Sequence, residues 1–275
     1  MDTHDIAAAV RSADYDRYLS VLFAPAQVRG RLLALYAFNH EIAKVAEAVS
    51  QPMAGFIRLQ WWRDAVEEIY SGRGARRHEA AEGLARAVTG ASLPRPLIDA
   101  MLDARERDLE PSPFANLSEL ESYADAASGN LMRLAARILG AGETLDAHAR
   151  ELGIAYAYAG LLRALPFHAA RRRLMLPRDH LIAAVMSEQD VFAGGAPLIR
   201  TLMDGIAAAA RARLAAAPAS ALPRRVLPAL LPAALVRPYL RVMGRARFDP
   251  YRNPAGLSVP RRQLAMLSAM MRGRI

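Results

Sequence analysis

The chain has 275 residues, 53% of them hydrophobic, no cysteine and a formal net charge of +9. The lack of cysteine excludes disulfides, thiolate metal sites and a cysteine nucleophile, and it suits a reducing compartment. The longest apolar run, Val226 to Val236, is broken by Pro228 and Pro232 and falls well short of the roughly 20 residues a membrane-spanning helix needs.

Alanine and leucine outnumber the β-branched residues almost everywhere, which predicts an all-α protein. The opening Met1-Asp2-Thr3-His4-Asp5 lacks the charged and apolar regions of a signal peptide, so none is expected. Ala24-Pro25 closes a first segment, and a periodic run from about Val28 to Val49 predicts the next helix. Gln51-Pro52 breaks that run and opens a helix to Tyr70, ahead of Ser71-Gly72-Arg73-Gly74. Two further helices flank Leu93-Pro94, the second ending near Pro111-Ser112-Pro113. Asn116 and Ser118, each followed three residues later by a glutamate, are capping-box signals for a long helix reaching Leu139. Thr144 to Leu165 forms the next run, with Pro166 as its expected stop. Helical pattern resumes near Ser187, passes Gly194-Gly195 and continues to Ala217, with later helices at Arg224 to Gly244 and Arg261 to Met271. Short links and the absence of a linker or repeat predict one domain over 1–275, a helical bundle.

Charge is unevenly spread. From Arg171 onward there are 18 arginines against 5 acidic residues, whereas the first 170 residues are slightly acidic. A basic C-terminal third is suited to anionic lipid or a phosphorylated ligand. Yet 35 arginines against one lysine, Lys44, in an alanine-rich chain also read as plain compositional bias. No aromatic-and-basic binding motif is present, so nucleic acid is not expected as a partner.

Two segments carry a family resemblance. Arg31-Leu-Leu-Ala-Leu-Tyr-Ala-Phe-Asn-His-Glu-Ile-Ala-Lys-Val-Ala-Glu47 and Ala159-Gly-Leu-Leu-Arg-Ala-Leu-Pro-Phe-His-Ala-Ala-Arg-Arg-Arg-Leu-Met-Leu-Pro177 resemble the squalene/phytoene synthase family. Arg105-Glu-Arg-Asp-Leu109, Ser118-Glu-Leu-Glu-Ser-Tyr123 and Leu227-Pro-Ala-Leu-Leu-Pro232 extend the likeness in order along the chain. The resemblance implies an isoprenoid-synthase-like helical bundle around a central cavity. It also implies head-to-head prenyl transfer, in which aspartates on two facing helices hold Mg²⁺ against a substrate diphosphate.

The positions of those aspartates decide the chemistry. The first cluster falls at Ala43, Lys44 and Glu47, and the second at Ala164, Phe167 and His168. Five of the six acids are absent, and the ammonium of Lys44 would repel Mg²⁺. Just upstream of the second cluster, Ala157 and Gly160 stand where glutamine and asparagine are common in the family. One carboxylate cannot assemble a multi-metal diphosphate clamp, so no catalytic residue, metal or cofactor is expected; Mg²⁺ enters only under a prenyltransferase reading. Phe38-Asn-His-Glu-Ile-Ala43, Arg58-Leu-Gln-Trp-Trp62 and Leu162-Arg-Ala-Leu-Pro-Phe-His168 are similar to the family's mitochondrial complex I assembly-factor branch.

Candidate cavity or ligand residues are Tyr18, Tyr36, His40, Glu41, Glu47, Asp108, Arg163, Arg171 and Arg173. Arg163 suits an anionic ligand or a buried pair with Glu41 or Glu47. Tyr18 and Tyr36 suit buried hydroxyls with local partners or ligand contacts. His40 and His168 lack the third placed ligand that a metal site needs. Glu41 and Lys44 stand three apart and can pair, and Trp61 and Trp62 point about 100° apart, which places at least one in the core. The Arg171-Arg172-Arg173 link suits a solvated turn or an anionic lipid contact.

The expected function is that of a degenerate, non-catalytic family member acting in respiratory complex I assembly through a protein partner, with lipid binding at the cavity. The alternatives are a head-to-head prenyltransferase and an isoprenoid or lipid carrier. The expected location is cytoplasmic, peripheral on the inner face of the membrane.

Overall fold

The structure is a computed structural model that describes residues 3–110, 112–194, 199–218, 222–246, 248–252 and 255–275. Its described residues form an all-α bundle without a β-strand. In chain order the helices are α1 (Thr3–Ala13), α2 (Tyr15–Val21), α3 (Ala26–Ala43), α4 (Pro52–Tyr70), α5 (Glu79–Ala91), α6 (Arg95–Arg107), α7 (Leu117–Ala124) and α8 (Asn130–Ile138). They continue with α9 (Asp146–Ala170), α10 (Arg178–Ala183), α11 (Glu188–Ala193), α12 (Ile199–Ala216), α13 (Leu227–Leu230), α14 (Val236–Met243) and α15 (Val259–Arg272).

Two apolar cores divide the bundle. One gathers α3, α4, α5, α6 and α8 around Phe38, Leu59, Leu84, Ile98 and Leu134. The other gathers α9, α12 and α14 around Tyr158, Leu162, Ile206 and Leu240. The α7–α8 segment joins them, and its Asn116 cap accepts the Glu119 amide at 3.0 Å, as the sequence predicts. Between the two helices lies one π-helical turn, Asp125–Gly129, which bulges the chain toward α9. There Gly153 packs directly on Gly129, so a Cβ on Gly153 would sit 2.6 Å from the Gly129 Cα. Ser128 Oγ donates to the Gly153 carbonyl at 2.8 Å, pinning the close approach.

Four sequence expectations are corrected. Pro166 does not stop its helix, since α9 continues to Ala170. Proline removes only one amide donor, and the turns on either side bury Leu162, Leu165 and Ala169 against the core. The run expected to Val49 leaves the α-helix at Ala43 and tightens into a 3₁₀ turn over Val45–Glu47. The pattern expected to pass Gly194-Gly195 breaks after Ala193, where Gly194 has φ +72°; Gly195, like Pro111, lies outside the described residues. The Arg224 to Gly244 stretch is helical in pieces, with a 3₁₀ segment over Leu231–Leu235.

Candidate functional site

The most informative polar cluster forms around a residue that the motif comparison passes over. Asp16, on α2, is 2% exposed. Its Oδ2 accepts from Tyr239 Oη at 2.7 Å, Tyr156 Oη at 3.2 Å and Arg163 Nη1 at 3.3 Å. Arg262 Nη1 stands 3.0 Å from Oδ1. One short helix thereby joins α9, α14 and α15, and a buried carboxylate of this kind is tolerable only because cations and hydroxyls replace its water. Burial pushes the Tyr156 and Tyr239 hydroxyls above the usual tyrosine range, so they are donors at any physiological pH.

Beside Asp16 opens a cavity of about 530 Å³, lined among others by Asp14, Arg17, Gly160, Arg163, Ala164 and Arg262. Asp14 caps α2 by accepting the Arg17 amide at 3.0 Å and pairs with its guanidinium at 2.5 Å. The Arg17 guanidinium also lies over the rings of Tyr36 and Tyr156, 5.8 and 5.0 Å from their centroids. Burial raises the Tyr36 hydroxyl to about 12, against the lowering pull of the neighbouring Arg17. The wall thus carries three guanidiniums against two carboxylates, and both carboxylates are engaged by arginine.

A second cluster sits at Asp108. Its Oδ1 accepts from Tyr123 Oη at 2.8 Å and its Oδ2 from Arg105 at 3.0 Å, while its carbonyl accepts from Arg173. Arg105 also reaches Tyr123 Oη at 3.0 Å and Asn39 Oδ1 at 3.5 Å. His168 borders this cluster, and burial together with the positive charge of Arg173 holds its imidazole down at about 4. His168 is therefore neutral at pH 7. The unfolded chain takes up this proton near 6.5 whereas the fold refuses it until about 4, so stability falls as pH drops between those values. The loss should reach about 2 kcal/mol by pH 5 and should shrink in His168→Gln, read from urea midpoints at pH 7 and pH 5.

The predicted site residues do not converge. Ala43 ends α3, and Glu47 is exposed on the 3₁₀ turn. Lys44 pairs with Glu41 at 2.5 Å as its spacing predicts, and Glu41 also stands 3.9 Å from His78. His40 is half-buried at the end of α3, and Tyr18 packs under Arg11. The proposed partners of Arg163 are corrected: it pairs with Asp16, not with Glu41 or Glu47, because α2 rather than the end of α3 faces it. Of the second cluster, Ala164 lines the cavity, Phe167 is exposed beneath the Arg171 guanidinium, and His168 turns toward Asp108. Trp62 is buried edge-on to Phe38, whereas Trp61 lies half-buried under Arg76.

These donors do not fit the magnesium cluster that the synthase chemistry uses. Glu47 is the one carboxylate left at the six positions, and the carboxylates lining the cavity, Asp14 and Asp16, are already neutralised. Among the described residues no group of three or more His, Asp or Glu side chains is placed to hold a metal. What the cavity offers instead is a weakly cationic hollow with vacant wall at Gly160, where a Cβ would meet nothing within 4 Å. Gly160→Ala should accordingly stabilise the fold by about 0.5–1 kcal/mol through helix propensity, seen as a raised denaturation midpoint. Sequence reasoning missed Asp16, Arg17, Tyr156, Tyr239 and Arg262. Asp14, the cap of α2, was missed as well.

Comparison with known proteins places this geometry in a lineage. The squalene/phytoene synthase family model matches residues 10–263. The human protein named NADH dehydrogenase (ubiquinone) complex I, assembly factor 6 is 32% identical over 250 residues, covering 90% of this chain and 75% of that one. The same protein of Bos taurus is 32% identical over 244 residues, covering 87% and 73%. A phytoene synthase of Thermus thermophilus is 33% identical over 199 residues, 71% of this chain and 66% of the enzyme. A dehydrosqualene synthase solved in complex with a ligand shares the fold, with a TM-score of 0.85 over 98% of this chain and 95% of that one at 13% identity. Matched over nearly its whole length, the chain belongs to the squalene/phytoene synthase family.

Proposed function

We infer that this protein is a squalene/phytoene synthase family member that has given up prenyl transfer and serves respiratory complex I assembly through a protein partner. The observation that carries the reading is the state of the two aspartate-cluster positions. Ala43, Lys44, Glu47, Ala164, Phe167 and His168 supply one exposed carboxylate, while the nearby cavity is lined by paired arginines. A leaving diphosphate needs metal or equivalent concentrated positive charge at the moment of ionisation, and here the guanidiniums are spent on Asp14 and Asp16. Likeness to proteins named for complex I assembly supports the other half of the reading. No helix among the described residues is long and apolar enough to cross a membrane. The reading has the protein work at the surface of the membrane-bound complex, on its cytoplasmic side.

Deletion of the gene tests the role. Assembled complex I and its activity should fall while squalene and carotenoid levels stay unchanged in the same cells. Unchanged complex I with depleted isoprenoids would favour a surviving prenyltransferase instead. A carrier role is favoured by one observation, the retained cavity of about 530 Å³ with Arg163 in its wall. It predicts a lipid extractable from the purified protein and visible by mass spectrometry.

A further inference from the structure

The last helix carries a pattern unrelated to the central cavity. Three faces of α15 can be separated by its 100° advance per residue. Arg262, Met266 and Ala269 point inward, with Arg262 reaching Asp16 and the other two fully buried. Arg261, Ala265, Ser268 and Arg272 line a groove of about 790 Å³ between this helix and α14. Leu264, Leu267 and Met271 form a stripe opposite the core and are 64%, 45% and 64% exposed, with Leu264 also edging the groove.

The groove is strongly and singly charged. Arg237, Arg241 and Arg245 line it from the α14 side, facing Arg261 and Arg272. Arg274 borders an adjoining hollow that shares Arg237, Arg272 and Ile275 with it. All six are exposed. Among the described residues no aspartate or glutamate side chain lines either hollow, and these six form no ion pair. Elsewhere arginines are heavily paired, as in the Arg213 contacts with Glu121 and Glu151. An apolar stripe flanked by a row of unpaired arginines is the arrangement of a helix lying in a lipid interface, with leucines among acyl chains and guanidiniums at phosphate level. Self-association through this face would set the six arginines against one another, and an acidic protein would leave the leucine stripe without an apolar counterpart.

We propose that the α14–α15 face docks the protein on an anionic phospholipid bilayer. Leu264, Leu267 and Met271 enter the interface, and the arginine groove holds lipid phosphates. This docking does not depend on the complex I role, and vesicle binding tests it whatever the deletion phenotype. It also moves the anionic contact away from the Arg171-Arg172-Arg173 link. There Arg171 covers Phe167, Arg172 covers Phe192 and Arg173 bonds to Asp108.

The test is flotation of the full chain with phosphatidylcholine vesicles, with and without about 30 mol% phosphatidylglycerol. The protein should float with the anionic vesicles and be released by about 0.5 M salt. Reversing three charges in R241E/R261E/R272E should weaken partitioning by roughly 100-fold. L264S/L267S/M271S should also detach it, whereas R171A/R172A should not. All these side chains are exposed, and circular dichroism checks that each variant keeps its helices; salt release of the unaltered protein gives the same reading without substitution. Failure of the unaltered protein to float with anionic vesicles overturns the proposal. So does full binding by either triple variant, or loss of binding in R171A/R172A.

Discussion

Asp16→Ala should lower the melting temperature by about 10 °C. The substitution strands the Arg163 and Arg262 guanidiniums and the Tyr156 and Tyr239 hydroxyls, all of which converge on one carboxylate. Removing one partner from such a buried set costs about 3–5 kcal/mol, and the partial exposure of Arg163 argues for the lower end. At roughly 2–4 °C per kcal/mol for a chain of this size, the shift is well resolved by thermal unfolding followed by circular dichroism. Asp16→Asn keeps an acceptor for the tyrosines but loses the charge, so it should fall between the unaltered protein and Asp16→Ala. Equal losses for the two variants would mean that the hydrogen bonds add nothing beyond the ion pairs, and an Asp16→Asn variant as stable as the unaltered protein would mean the reverse.

Gly153→Ala should destabilise the fold by about 3 kcal/mol, at the upper end for overpacking by one methyl. The added Cβ would lie 2.6 Å from Gly129 Cα and 2.8 Å from the Ser128 carbonyl oxygen. Backbone cannot swing aside as a side-chain tip can, so α9 must separate from the π-helical turn. Gly160→Ala, two turns further along the same helix, provides the control, since that position is open and the expected change has the opposite sign. A near-neutral Gly153→Ala would show that the two segments slide apart cheaply.

Much of the bundle was legible in the sequence because its punctuation is local. Pro52 begins α4 where the proline predicts it, and Asn116 caps its helix through an amide three residues on. Local signals fail where tertiary contacts outvote them. Pro166 sits mid-helix because its flanking turns are held by core packing, and the π-helical turn at Asp125–Gly129 answers a glycine 24 residues downstream. The site was harder still. Asp16 pairs with residues 140, 147 and 223 positions away, a closure that no spacing rule can anticipate. Motif alignment found Arg163, which lies in a family segment, but assigned it the wrong acid. The reading that aspartates are missing rests on motif alignment alone, since residue identity at aligned positions needs no geometry. The structure adds that the acids lining the cavity are committed to arginine.

The claim that the synthase scaffold persists without its ionising chemistry is tested most directly by turnover. Purified protein is incubated with farnesyl diphosphate and with geranylgeranyl diphosphate at saturating Mg²⁺, and pyrophosphate release is followed beside an active phytoene synthase. No release above the protein-free background is predicted, with or without Mg²⁺. Mg²⁺-dependent release that disappears in Glu47→Ala would contradict the account.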